Sequence, residues 1–106
     1  MALSVQSETS GNVVKLALAG ELDAASAGEF RTAVEAAAAE KPERLVLILD
    51  ELTFMASAGL RVLVFTKQKM GSGVDLYIAG AHDAVKETIT MTGFDQSVLM
   101  VDTYGD

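Results

Sequence analysis

The chain has 106 residues, half of them hydrophobic, with 15 acidic and 8 basic residues for a formal net charge of −7 and no cysteine. That length suits one domain and is enough to bury a core without staples, while the absence of cysteine excludes a disulfide framework and thiolate metal sites. The acidity argues against nucleic acid: a phosphate backbone would be repelled, and the tightest basic pair is only Lys67 and Lys69.

Met1-Ala2-Leu3-Ser4-Val5 lacks the basic region and apolar run of a secretory leader. With no stretch of membrane-spanning length, the expectation is a cytoplasmic domain without direct membrane insertion.

Leu3 to Ser7 alternates apolar and polar residues, the period of a half-buried strand. Ser10-Gly11-Asn12 reads as a turn, and Val13 to Leu22 as a second strand with Val14, Leu16 and Leu18 on one face and Lys15 on the other. A hairpin is the simplest pairing. Ser26 three residues before Glu29 has the form of a capping box. The helix it opens is expected to run to about Glu40, with Phe30, Ala33, Val34 and Ala37 as its apolar stripe and Pro42 beyond its end.

Leu45 to Leu49 is apolar throughout, which suggests a strand covered on both faces and ending at Asp50. A connector leads to Ala56-Ser57-Ala58-Gly59-Leu60, where a helix begins with Ser57 as its cap and runs to about Met70. At 100° per residue, Leu60, Leu63 and Val64 share a face directed at the sheet; Arg61, Phe65, Gln68 and Lys69 lie roughly opposite, with Val62 at the edge. Gly71-Ser72-Gly73 ends this helix as a turn. Val74 to Ala79 is a fourth strand, Asp83 to Thr92 a third helix stopped by Gly93, and Val98 to Val101 a fifth strand. Asp102 to Asp106 reads as a mobile polar tail. The order ββαβαβαβ calls for a single α/β domain over residues 1–106, with a mostly parallel sheet, an N-terminal hairpin and packed helices.

Enzyme motifs are sparse. No phosphate-cradling loop ends in Lys-Ser or Lys-Thr, and Gly71-Ser72-Gly73 precedes a strand instead of opening a helix, so it is no dinucleotide fingerprint. A hydrolase would need Ser57 as nucleophile, His82 as base and Asp23 or Asp50 as orienter, yet Ala-Ser-Ala-Gly-Leu lacks the first glycine of a nucleophile elbow. His82, the one histidine, reads as a surface residue near the third helix. The five methionines read as core filler. Ser57 by itself is explained by a helix cap, but Ala56, Ala58 and Gly59 leave its hydroxyl unshielded. A phosphate there would meet a helix N-terminus, which tolerates anions. Phe65 on the outer side of its helix fits either a contact with a neighbouring segment or one with a partner.

Gly20-Glu21-Leu22-Asp23, the apolar strand ending at Asp50, and Phe54-Met55-Ala56-Ser57-Ala58-Gly59-Leu60 together resemble the anti-sigma factor antagonists, single-domain STAS proteins of bacterial partner-switching systems. The resemblance runs nearly end to end and includes Gly93-Phe94 before the last strand. It implies no catalysis and no cofactor, and a phosphorylation site at Ser57. The kinase would be an anti-sigma factor of the histidine-kinase-like ATPase type, and a metal-dependent serine phosphatase of the PP2C type would reset the switch. Asp23 matches the acidic residue beside the phosphosite. With the outer helix face, the implied partner surface is Asp23, Ala56, Ser57, Ala58, Gly59, Arg61, Val62 and Phe65. Two positions depart from the usual Met-Asp-Ser-Ser/Thr-Gly-Leu: Ala56 replaces the aspartate and Ala58 the second hydroxyl residue. The resemblance also admits non-switching relatives, STAS subunits that dock statically on lipid-transporting ABC complexes.

Overall fold

The computed structural model describes residues 3–71 and 73–104. Strands β1 (Leu3–Ser10) and β2 (Val13–Leu22) form the hairpin, followed by α1 (Ala27–Ala39), β3 (Arg44–Met55), α2 (Ser57–Met70), β4 (Asp75–Ala79) and α3 (Asp83–Met91). A 3-10 turn at Phe94–Gln96 precedes β5 (Leu99–Val101). The five strands lie in sequence order, antiparallel only between β1 and β2. Ser72, part of the expected turn after α2, lies outside the described residues, as do Met1, Ala2, Gly105 and Asp106.

Sequential parallel strands joined by crossovers of one hand place every connecting helix on the same face. Burial agrees. The rows Val14, Leu45, Leu76 and Leu16, Leu47, Ile78 are paired across the sheet and sit in one core with Phe30 and Val34 of α1, Leu63 of α2, and Val85 and Ile89 of α3. Each such apolar side chain, fully buried, contributes about 1.5–3 kcal/mol against exposure.

The two faces of β3 are buried in different ways. Among the described residues no helix packs on the opposite row, Lys15, Val46, Tyr77 and Leu99. Val46 is nevertheless 0% exposed. On this face the Tyr104 ring stands edge-on to Tyr77, the residue paired with Val46, with centroids 5.1 Å apart. Arg44 donates to the Tyr104 hydroxyl at 3.2 Å, and the Lys15 ammonium lies 5.5 Å from the same ring. Tyr104 is thus held against the sheet, while Asp102 and Thr103 of the expected polar tail are exposed.

Strand β3 also does not stop at Asp50. It continues to Met55, because Asp50 and Glu51 fall at exposed positions while Leu52 and Met55 turn inward. Against β2 it carries two irregularities, between Ala17 and Ala19 and between Gly20 and Glu21, each adding one residue to β3. Thr53, at the second, donates its hydroxyl to the Gly20 carbonyl at 3.0 Å. These extra residues set where the strand end delivers α2.

Candidate functional site

Parallel pairing of β2 and β3 runs to the last residue of each strand, Leu22 opposite Met55. The next residues are therefore neighbours: Asp23 leaves one strand end and Ala56 the other, tied by the Ala56 N–H donating to the Leu22 carbonyl at 2.8 Å. Two segments far apart in sequence, Gly20–Asp23 and Met55–Gly59, meet in this way at one edge of the domain.

Ala56, not Ser57, is the residue at the helix cap. Its backbone is extended (φ −84°, ψ 169°) and it offers no side-chain acceptor, so Ser57 is the first helical residue. The expected serine cap is thus corrected. The Ala56 carbonyl accepts from Gly59 at 3.0 Å and Leu60 at 3.2 Å, leaving the Ser57 and Ala58 amides ahead of the helical ladder. Among the described residues the Ser57 hydroxyl has no hydrogen-bond partner, and the residue is exposed. A cap would have given this hydroxyl a structural task. Shifted by one position, it has none.

Gly59 determines how closely the helix approaches. A Cβ built on it would lie 2.6 Å from Leu22 Cγ, 2.7 Å from Leu22 Cδ2 and 3.2 Å from Met55 Cγ. Only glycine lets α2 settle this deep on the strand ends. The contact also fixes the helix rotation. Gly59, Val62, Leu63 and Thr66 are the buried residues, at i, i+3, i+4 and i+7, and the Thr66 hydroxyl is satisfied by the Val62 carbonyl at 2.7 Å. The stripe expected from hydropathy, Leu60, Leu63 and Val64, is turned by about 100° from the true one. Val64 is 40% exposed and Val62 only 7%. Two residues assigned to the partner surface, Gly59 and Val62, accordingly face the core.

Phe65 lies in the seam between α1 and α2, half-buried, with the Arg31 guanidinium 4.1 Å from its ring centroid. Arg31 also reaches Glu35 at 4.0 Å. Part of the Phe65 ring is thus engaged by a neighbouring segment. Ala56 and Ala58 are partly exposed and Arg61 is exposed, all beside Ser57.

Asp23 is held by local bonds. Its Oδ1 accepts from the Ser26 N–H at 2.9 Å and lies 2.9 Å from the Ser26 hydroxyl, which is equally near the Glu21 carbonyl, while the Asp23 N–H donates to Ser26 Oγ at 3.0 Å. Ser26 precedes α1 but makes no side-chain cap bond, so the expected capping box with Glu29 does not form; the hydroxyl is spent on the Asp23 turn instead. The side-chain and backbone bonds from Ser26 hold the Asp23 carboxyl below its ordinary 3.8. The result is a fixed anion at the end of β2, adjacent to the Ser57 loop.

His82 bonds through Nε2 to the Asp50 carbonyl, and the Asp50 carboxylate occupies the space a Cβ on Gly80 would need. Asp50 lies five positions before Met55 along β3, on the order of 15 Å. His82 and Asp50 are therefore not assembled with Ser57 as a nucleophile, base and orienter.

A groove of about 450 Å³ opens beside the serine. Ser57, Leu60, Arg61 and Val64 line one wall, and Thr92, Gly93, Phe94 and Ser97 the other. Gly93, at φ +79°, turns the chain so that Phe94 folds back under the end of α3. Met91 beside it is 78% exposed. Sequence reading missed this wall apart from one hint, a glycine stop followed by an aromatic residue. Val64 was lost to the misplaced stripe. Among the described residues no helix is long and apolar enough to cross a membrane.

A one-sided, mostly parallel α/β sheet with an unpartnered serine opening its second helix defines the class of domain. The profile of the STAS domain matches residues 4–106, and the chain belongs to that family. It is 28% identical over 94 residues to the anti-sigma-F factor antagonist RsfB of Mycobacterium tuberculosis, covering 89% of this chain and 77% of the relative. An anti-sigma factor antagonist from Mycobacterium paratuberculosis superposes with a TM-score of 0.89 at 27% identity, over 95% of this chain and 86% of that one. The Bacillus cell fate determinant SpoIIAA in its phosphorylated form shares the fold, with a TM-score of 0.72 at 16% identity over 92% and 90% of the two chains.

Proposed function

We propose that this domain is an anti-sigma factor antagonist whose binding is switched by phosphorylation of Ser57. Its partners on this reading are a cytoplasmic anti-sigma factor that is also a serine kinase of the histidine-kinase-like ATPase type, and a metal-dependent serine phosphatase of the PP2C type. The domain performs no catalysis of its own. The observation that carries the reading is the Ser57 hydroxyl: exposed, without a hydrogen-bond partner among the described residues, and adjacent through paired strand ends to the fixed Asp23 anion.

In the transfer, Ser57 Oγ forms a bond to the γ-phosphorus of ATP, the bond from that phosphorus to the β–γ bridging oxygen breaks, and ADP leaves. The hydroxyl proton passes to a base on the kinase. The product carries about −1.5 to −2 charges at the start of α2. The helix N-terminus and the open Ser57 and Ala58 amides favour an anion there, so the fold persists and the binding surface changes. Ala56 removes the carboxylate that the usual motif carries beside the acceptor, and Ala58 removes a competing hydroxyl.

The surface that remains for the partner once the buried Gly59 and Val62 are set aside is Asp23, Ala56, Ser57, Ala58, Arg61 and the open part of Phe65, together with the groove walls. Incubation with ATP and the kinase, followed by mass spectrometry, should place one phosphate on Ser57; modification elsewhere with Ser57 untouched refutes the assignment. Ser57→Ala should retain kinase binding and Ser57→Asp should weaken it. Equal affinities would instead favour a static docking domain, as on a transporter.

A further inference from the structure

We propose that Arg61 is the intramolecular counter-ion of a phosphate on Ser57, so that modification draws the one charged lining residue of the neighbouring groove back onto the helix start. The proposal rests on Ser57 as the phosphoacceptor and adds how the phosphate acts on the surface around it.

Ser57 and Arg61 are i and i+4 on α2 and line the same wall of the groove. On a helix that spacing makes side chains neighbours, and each Cα–Cβ bond tilts towards the N-terminus. The Arg61 side chain therefore leans over the turn that begins with Ser57. Arg61 is exposed and makes no ion pair among the described residues, so nothing holds it elsewhere. It is also the only charged residue of the groove lining. The two lysines near the far end of α2, Lys67 and Lys69, are a turn and a half or more further from Ser57.

The need for such a cation is local. Asp23 is kept ionised by Ser26 at the neighbouring strand end, in a chain of net charge −7, and no acidic residue occupies the first turn of α2. A phosphate added beside Asp23 meets a like charge from that side. Arg61, one turn further along α2, carries the opposite charge, and a guanidinium offers paired donors suited to phosphate oxygens. Before modification Arg61 stands free at the groove mouth beside Leu60 and Val64, available to a carboxylate on whatever docks there. After modification it is spent on the phosphate. A change at one hydroxyl thereby alters the groove without moving the backbone.

The test uses full-length protein with phosphoserine installed at position 57 during translation, so it does not depend on any kinase accepting the site. The second ionisation of the phosphate, ordinarily near 6, is followed by phosphorus NMR against pH. Arg61 should lower the midpoint, so Arg61→Gln should raise it by about 0.3 unit, Arg61→Lys should recover part of the shift, and Lys67→Gln should move it far less. An unchanged midpoint in Arg61→Gln overturns the proposal. So does an equal shift in Lys67→Gln, which would reveal only the general field of the protein. Failure of a kinase to modify Ser57 would refute the proposed function and leave this measurement standing.

Discussion

Gly59→Ala adds a single methyl group where α2 meets the strand ends, and its effect can be worked out from the contacts. In an unconstrained helix the change stabilises by about 1 kcal/mol, because alanine is the better helix former. Here the new Cβ would lie 2.6 Å from Leu22 Cγ and 2.7 Å from Leu22 Cδ2, and Leu22 is 0% exposed. A terminal methyl alone could rotate away, but Cγ is a branch point enclosed by core, so the helix must lift or Leu22 must leave its rotamer. Overpacking of this kind costs roughly 1–3 kcal/mol. The net expectation is a loss of about 1 kcal/mol, or about 5 °C in midpoint for a domain of this size. Gly28→Ala is the matched control: it is also helical, and an added Cβ has nothing within 4 Å. That variant should gain about 0.4–1 kcal/mol. Thermal and urea unfolding of both, with Leu22→Ala in a double-mutant cycle, decide the matter. If Gly59→Ala is as stable as Gly28→Ala, or if Leu22→Ala does not relieve it, the argument that Gly59 sets the seat of α2 is wrong.

Three further outcomes test separate parts of the structure. Val62→Ala should cost about 1–2 kcal/mol and Val64→Ala less than about 0.5, since only Val62 is buried; the reverse order in urea unfolding would return the helix to its hydropathic orientation. Ser26→Ala should let the Asp23 carboxyl rise towards 3.8, read by carbon NMR titration, because the Ser26 bonds are the leading cause of its depression. The sign follows: a carboxyl lowered in the folded state adds stability that is present above about 3.8 and lost as pH falls through the folded value, so wild type and Ser26→Ala should differ less in the strongly acidic range. A constant difference down to full protonation would remove Asp23 ionisation from the account. Tyr104→Ala should cost about 1 kcal/mol through the lost pair with Tyr77; an unchanged midpoint would show that this ring contact adds nothing to stability.

Much was legible in the residues alone, for a local reason. The hairpin turn, Gly93 after the third helix and the alternation of Val14, Leu16 and Leu18 are set by neighbours in the chain, and the structure keeps them. The motif around Ser57 likewise pointed to the right family. Its helix boundary was missed by one residue, because an alanine cap in extended backbone leaves no sequence signal, whereas a serine before a helix does.

Tertiary structure alone decided the orientation of α2, the one-sided sheet and the groove. Hydropathy ranks faces of a helix, and α2 carries two overlapping apolar faces that differ by about 100°. Gly59 chose between them, and a residue without a side chain contributes nothing to such a ranking. The face of the sheet that carries Val46 and Tyr77 meets Tyr104, twenty-seven positions beyond Tyr77, through a ring pair no local pattern encodes. The freedom of the Ser57 hydroxyl has the same origin. Which residue caps a helix depends on where the preceding strand ends, and β3 ends at Met55 because its last pairs with β2 hold it there.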